Sequence, residues 1–293
     1  MLYGFWGLNG HHSAEGLAAV KARLGMTFFQ VASEDPAWAV GHLLPAARQA
    51  GVKVTLRLTG DHGGYTTAGG DFDLQAWKAH MRPWTDSGLQ AFVDDGTLVG
   101  HMLLDDILTF EGRDPTAAEL DEMARTSEAS FPGLMTFVRA QATHMPTPEG
   151  GRYRHVDACV NQYQARDGDV RRYAEAERRR ALDLGLGIIN GLNVADGGDG
   201  RAGRPGWRGE GFHPMTADEI REYGQVLAAV PECGMFLSWE YDAVERWPDG
   251  TVGADYLDQP EIQAALAELG RRVAARPPGA RLLRPALPGP SLP

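Results

Sequence analysis

Residues 98–106, Leu-Val-Gly-His-Met-Leu-Leu-Asp-Asp, form a short apolar run that ends in two adjacent carboxylates, Asp105 and Asp106. Bounded by Gly96, the run reads as a buried strand that delivers acid groups to its C-terminal end, where carboxyls can donate or accept protons. A second acid closes residues 235–242, Met-Phe-Leu-Ser-Trp-Glu-Tyr-Asp, where strand alternation groups Ser238, Glu240 and Asp242 on one face. In residues 52–59 the polar side chains Lys53, Thr55, Arg57 and Thr59 alternate strictly with Val54, Leu56 and Leu58. Arg57 therefore faces away from the apolar side, and a long buried cation needs a carboxylate partner or an anionic ligand group. Gln30, Arg139, Asn161 and Asn190 each sit at or near the C-terminal end of another apolar run. In residues 98–106, the parity that turns His101 inward also turns Asp105 inward and leaves Asp106 toward the loop or the helix side.

These residues need elements to hold them. Strand-like runs fall at residues 2–8, 26–32, 52–58, 98–104, 133–139, 156–163, 186–194 and 234–241. Helix signals follow all but the fifth: Ser13 before residues 14–24 and Gly25, Asp35-Pro36 before a helix through Ala50 and Gly51, and Thr216 before a helix ending near Val230. Eight alternating units in 293 residues match one closed (β/α)8 TIM barrel over residues 1–275. Residues 276–293 are Pro-rich and read as an extended or disordered tail. No Gly-x-Gly-x-x-Gly follows the first strand to favour a doubly wound sheet. In a barrel the C-terminal strand ends form one mouth, and Gln30, Arg57, Asp105, Arg139, Asn161, Asn190 and Glu240 would make a polar floor beneath it. Burying so many polar groups is costly unless they serve a polar ligand.

Composition narrows the partners. The formal charge is −11, with 39 acidic against 28 basic residues, and Lys21, Lys53 and Lys78 are the only lysines. An acidic chain without a dense basic stripe is a poor match to nucleic acid or to an anionic membrane. No apolar run approaches the ~20 residues of a membrane span. A cytoplasmic protein is expected, although a removed signal peptide would leave the same sequence. Cys159 and Cys233 lie in apolar runs and read as buried hydrophobes rather than a disulfide or a zinc site.

Two carboxylates with arginines and amides between them and Trp239 alongside suit cleavage of a glycosidic bond. One carboxyl protonates the leaving oxygen while the other acts as nucleophile or activates water. An arginine would keep one ionised as a drier setting keeps the other protonated. The barrel rhythm, the acid pair closing the fourth strand and Ser238-Trp239-Glu240 closing the eighth resemble the TIM-barrel glycoside hydrolase superfamily. That resemblance implies a carbohydrate substrate, no cofactor and no metal, with Asp105, Glu240 and Asp106 catalytic. Gln30, Arg57, Arg139, Asn161, Asn190, Trp239 and Asp242 would then bind substrate. The pattern departs from the Asn-Glu pair after the fourth strand and the Glu after the seventh that many such hydrolases carry.

Three alternatives use the same residues differently. A metal-dependent hydrolase would draw on the rim residues His11, His12, Asp61, His62 and Asp242, yet adjacent histidines in extended chain point to opposite sides. A Schiff-base aldolase lacks a lysine at the mouth. A barrel that binds a sugar without turning it over is the non-enzymatic reading. The Gly-rich residues 196–204 have the length and composition of a lid.

Overall fold

The computed structural model describes residues 1–241, 246, 250 and 256–277. Asp242 and the tail beyond residue 277 lie outside the described residues. The eight expected strands are all present: β1 (Leu2–Gly7), β2 (Phe28–Ala32), β3 (Lys53–Arg57), β4 (Leu98–Asp105), β5 (Met135–Arg139), β6 (Ala158–Tyr163), β7 (Gly187–Leu192) and β8 (Cys233–Tyr241). They pair in parallel in chain order and β1 closes on β8, giving the (β/α)8 barrel.

The helix caps do what their residue types predict. Ser13 accepts from the Gly16 N–H and Gly25 ends that helix in the left-handed region, while Thr116 and Thr216 form reciprocal capping boxes with Glu119 and Glu219. After β2 the helix expected from Pro36 to Ala50 carries a wide π turn at Ala39–Leu43 before Leu44–Ala50. Pro45 explains it, because a proline inside a helix has no N–H for the regular ladder. β5 leads into a loop with one short helical turn, Ala142–His144, as its sequence implied.

Two apolar layers result. Inside the barrel, Phe28, Met102, Phe137, Val160, Ile189, Met235 and Leu237 pack together, and Trp6 rests on them. The larger layer lies between strands and helices and includes Tyr3, Leu56, Leu103, Val138, Ile188 and Phe236. Cys159 and Cys233 are buried and free, and burial pushes the Cys233 thiol up to about 11.

These layers correct four inward assignments. His101 faces the helices, stacked on Trp77 with ring centroids 6.0 Å apart and its Nδ1 2.8 Å from Ser127 Oγ. The alternation fails because β4 carries a bulge. Met102 pairs with Phe137 and Leu104 with Val138, so Leu103 is an extra residue and the parity flips before Asp105. Asn161 and Asn190 also point outward. Asn161 Oδ1 accepts from the Ala142 N–H at 2.9 Å, and Asn190 Nδ2 donates to the Leu227 carbonyl at 2.9 Å, so each ties its strand to the helical layer. Val160 and Ile189 hold the inward positions instead. Ser238 is likewise buried away from the lumen, because Leu237 faces in.

The buried His101 supplies a stability prediction. Burial pushes its imidazole down to about 3, so the folded protein holds it neutral. The unfolded chain takes up that proton near pH 6.5. Its contribution is therefore fully present above pH 6.5 and is lost as pH falls toward 3, by about 1.4 kcal/mol per pH unit. Between pH 7.5 and pH 5 the stability of wild type relative to His101→Gln should fall by about 2 kcal/mol in urea unfolding. A difference that stays constant with pH would show that His101 titrates normally.

Candidate active site

Asp105 stands at the centre of the mouth. Its Oδ2 accepts from Arg57 Nη1 at 3.1 Å, and its Oδ1 accepts from Arg139 Nε. Both carboxylate oxygens thus carry a charge-assisted bond. The Arg57 side chain is only 6% exposed, against 23% for Asp105, so the carboxylate compensates a cation that has little water of its own. Arg57 also bonds Asp61 and lies over the Trp6 ring, 5.6 Å from its centroid. Gln30, inward as expected, accepts from Thr55 Oγ1 at 2.5 Å beneath the arginine.

Arg139 forms the next wall. Its Nη1 donates to Gln162 Oε1 at 3.3 Å and its Nη2 lies 3.6 Å from Asp106 Oδ2. Burial alone would lower this guanidinium, but the carboxylates of Asp105 and Asp106 outweigh it and raise its pKa. Asp106 is therefore a mouth residue, not one turned to the helices. Its φ is 56°, in the left-handed region, and that turn of the backbone swings the 44%-exposed side chain back beside Arg139. Leu8, just past β1, is the other non-glycine residue with positive φ among the described residues, at 62°. Both lie at the same end of the barrel, where strained backbone tends to accompany function.

On the opposite side, β8 presents two residues to one of β1. Phe5 pairs with Ser238 and Gly7 with Tyr241, so Trp6 alone faces Trp239 and Glu240, which are joined by a cis peptide. This two-for-one step puts both Trp239 and Glu240 over the mouth, although strict alternation from Ser238 would separate them. Gly7, at φ +92°, makes the turn beneath Glu240 in a conformation that side chains disfavour, and its α-carbon lies beside Glu240 Oε2, which a Cβ there would meet at an ordinary 3.6 Å. Trp207 meets Trp239 edge-on at 5.1 Å, forming a tryptophan wall beside Glu240.

Residues 196–213 are folded back rather than loose. Asp196 is buried, accepts from the Arg208 N–H at 3.1 Å and takes its own N–H bond to Asn193 Oδ1. Gly197 bridges His213, and the Asp199 carboxylate holds Arg201. Burial raises the Asp196 pKa against the pull of Arg208. The loop thereby fixes Trp207 in place.

The rim histidines act as loop hydrogen-bonders. His12 Nε2 lies 3.2 Å from the Gly7 carbonyl, and His62 Nδ1 lies 2.8 Å from Thr109 Oγ1 with its ring stacked on Phe110. Burial lowers the His62 pKa despite the nearby Asp105. Among the described residues no three His, Cys, Asp or Glu side chains converge to hold a metal ion, and no helix is long and apolar enough to cross a membrane.

Of the expected site residues, the mouth gathers Gln30, Arg57, Asp105, Asp106, Arg139, Trp239 and Glu240, and leaves out Asn161 and Asn190. It also holds the rim residues Trp6, Asp61 and Trp207, and it adds Gln162. Gln162 was hidden by its neighbour: where a strand is buried on both faces, adjacent amides at 161 and 162 cannot be ordered by polarity.

No family model and no curated protein matches the chain. Solved structures do. A GH30 endoxylanase from Clostridium papyrosolvens superposes with a TM-score of 0.58 at 12% identity, over 94% of this chain and 72% of that one. The catalytic domain of a mannanase from Streptomyces sp. SirexAA-E gives 0.55 at 13% identity, over 90% and 86% of the two chains. A D-psicose 3-epimerase from Clostridium cellulolyticum gives 0.52 at 13% identity, over 93% and 99%. The chain therefore has a TIM-barrel fold like that of the glycoside hydrolases, a fold that sugar epimerases share.

Proposed function

We propose that the protein is a carbohydrate-acting enzyme that hydrolyses a glycosidic bond at the C-terminal mouth of its barrel. The observation that carries this reading is the Arg57–Asp105–Arg139 clamp, set across the barrel from Glu240 and flanked by tryptophans. Two arginines hold both oxygens of Asp105 in place, which sets its carboxyl where an oxocarbenium-like transition state would form. Glu240 is the acid: its proton passes to the glycosidic oxygen as the bond from that oxygen to the anomeric carbon breaks. Water then attacks that carbon and gives its proton to Asp106, the exposed carboxylate beside the clamp. Exchange with solvent restores both groups. Trp6, Trp207 and Trp239 offer ring faces and edges to the apolar faces of a sugar. The sugar-processing neighbours support a carbohydrate substrate, and the absence of a Glu at the ends of β4 and β7 sets the carboxylate pair apart from the common hydrolase pattern.

The test is a turnover screen with aryl glycosides and with xylo-, cello- and manno-oligosaccharides, following reducing ends, alongside binding of the same sugars. Turnover of one series is the expected result. Binding without turnover would make the barrel a sugar-binding protein, and neither binding nor turnover would remove the carbohydrate reading.

A further inference from the structure

A second cavity opens on the far side of Arg139 from Asp105. It has a volume of about 380 Å³ and lies between the ends of β4 and β6 and the loop after β5. That is within the size range of small-ligand sites, though polar where most are apolar. Its charges cancel: Asp106 and Asp167 face Arg139 and Arg166, and Arg166 is held over the Phe212 ring at 4.8 Å. An anionic ligand would have to displace carboxylates already in place. What remains is amide. Gln141, Gln162 and Gln164 line the space; Gln162 Oε1 accepts from Arg139 and Gln141 Nε2 donates to Asp167 Oδ2, both at a long 3.3 Å, and an amide has donor and acceptor capacity beyond one such bond for sugar hydroxyls. Leu108 overhangs the opening and is 51% exposed, the one large hydrophobic side chain so exposed among the described residues.

From these observations, and resting on the glycosidase reading above, we infer that this cavity is a subsite for one neutral sugar ring. A second ring lies against the tryptophan wall, so that the minimal substrate is a disaccharide whose linkage spans the Asp105 clamp. Asp106 borders both spaces, which puts the water-activating carboxylate at the junction. The site selects for uncharged rings because Arg139 is held by Asp105 and Asp106, and the charge of Arg166 is offset by the neighbouring Asp167 carboxylate.

Isothermal titration with non-hydrolysable thio-linked xylobiose, cellobiose and mannobiose, against their monosaccharides and glucuronic acid, tests this. At least one thio-disaccharide should bind about 10-fold or more tighter than its monosaccharide. The Gln141→Ala/Gln164→Ala double variant should cut that preference by about 5–10-fold, as lost hydroxyl hydrogen bonds would. Leu108→Ala, whose exposed side chain leaves the fold intact, should cut it a few-fold and guards against misfolding of the double variant. Equal affinity for disaccharide and monosaccharide, an unchanged preference in both variants, or tighter binding of glucuronic acid overturns the subsite. Turnover of aryl glycosides without a disaccharide preference sinks this inference alone, whereas no binding and no turnover sinks the glycosidase reading with it.

Discussion

Asp105→Ala is expected to lower the stability of the folded protein by about 3 kcal/mol as well as to remove activity. Deleting one partner of a buried ion pair costs ~3–5 kcal/mol because the remaining charge stays buried and unpaired. Here one carboxylate serves two guanidinium groups, one of them only 6% exposed, which argues for the full range. Two features pull the value to its lower end: Arg57 keeps Asp61 and Arg139 keeps Gln162 and Asp106. Equilibrium urea unfolding should show the change as a lower midpoint with the slope unaltered. Asp105→Asn should lose nearly as much, since an amide can accept from one arginine but turns its NH2 toward the other. The decisive control is Asp105→Ala/Arg139→Met. Removing a cation that no longer has its main partner should recover part of the loss, a coupling of about 1–3 kcal/mol. A loss below ~1 kcal/mol in the single variant would mean that water already compensates the arginines. The two arginines would then not depend on Asp105, contrary to its assigned role.

The clamp also shows where the sequence was readable and where it was not. Strand count, order and helix starts followed from apolar runs and capping residues, because those patterns express local physics that the closed barrel does not override. Arg57 was placed by clean alternation in β3, whose residues step evenly along β2. Asp105 was placed inward by a parity that fails: His101 points out, and the bulge at Leu103 brings Asp105 back in. Nothing in Met102-Leu103-Leu104 marks the extra residue, since all three are apolar and either face of the strand accepts them. Asn161 and Asn190 misled for a related reason. Polarity at a strand end reads as a mouth residue, but the strand–helix layer has its own unpaired backbone groups, here the Ala142 N–H and the Leu227 carbonyl, and buried asparagines satisfy them. Long-range register therefore decides site membership, and it enters the sequence only through tertiary contacts.

Glu240→Gln carries the largest expected kinetic effect. Glutamine keeps the size and hydrogen-bonding reach of the side chain over Gly7, so folding should be unaffected, with a melting temperature within a few degrees of wild type. Turnover of natural oligosaccharides should fall by about 10²–10⁴-fold, the usual contribution of a positioned acid. The loss must depend on the leaving group. An activated aryl glycoside departs without a proton, so its rate should fall far less, and binding of the thio-disaccharides should be preserved. Asp106→Asn should instead slow both substrate classes together, because every substrate needs the water activated. β4 and β8 lie across the barrel from one another, which favours the wider of the two carboxyl spacings that glycosidases use. Inverting enzymes keep this gap at about 6.5–9.5 Å and retaining ones near 5 Å. The first-formed product, followed by NMR before mutarotation, should therefore have the inverted anomeric configuration. A retained configuration would make a carboxylate the nucleophile and reassign Asp106. An equal loss on activated and natural substrates would show that Glu240 is not the acid. The two measurements are independent, so the proton donor and the route of the water can each be wrong without the other.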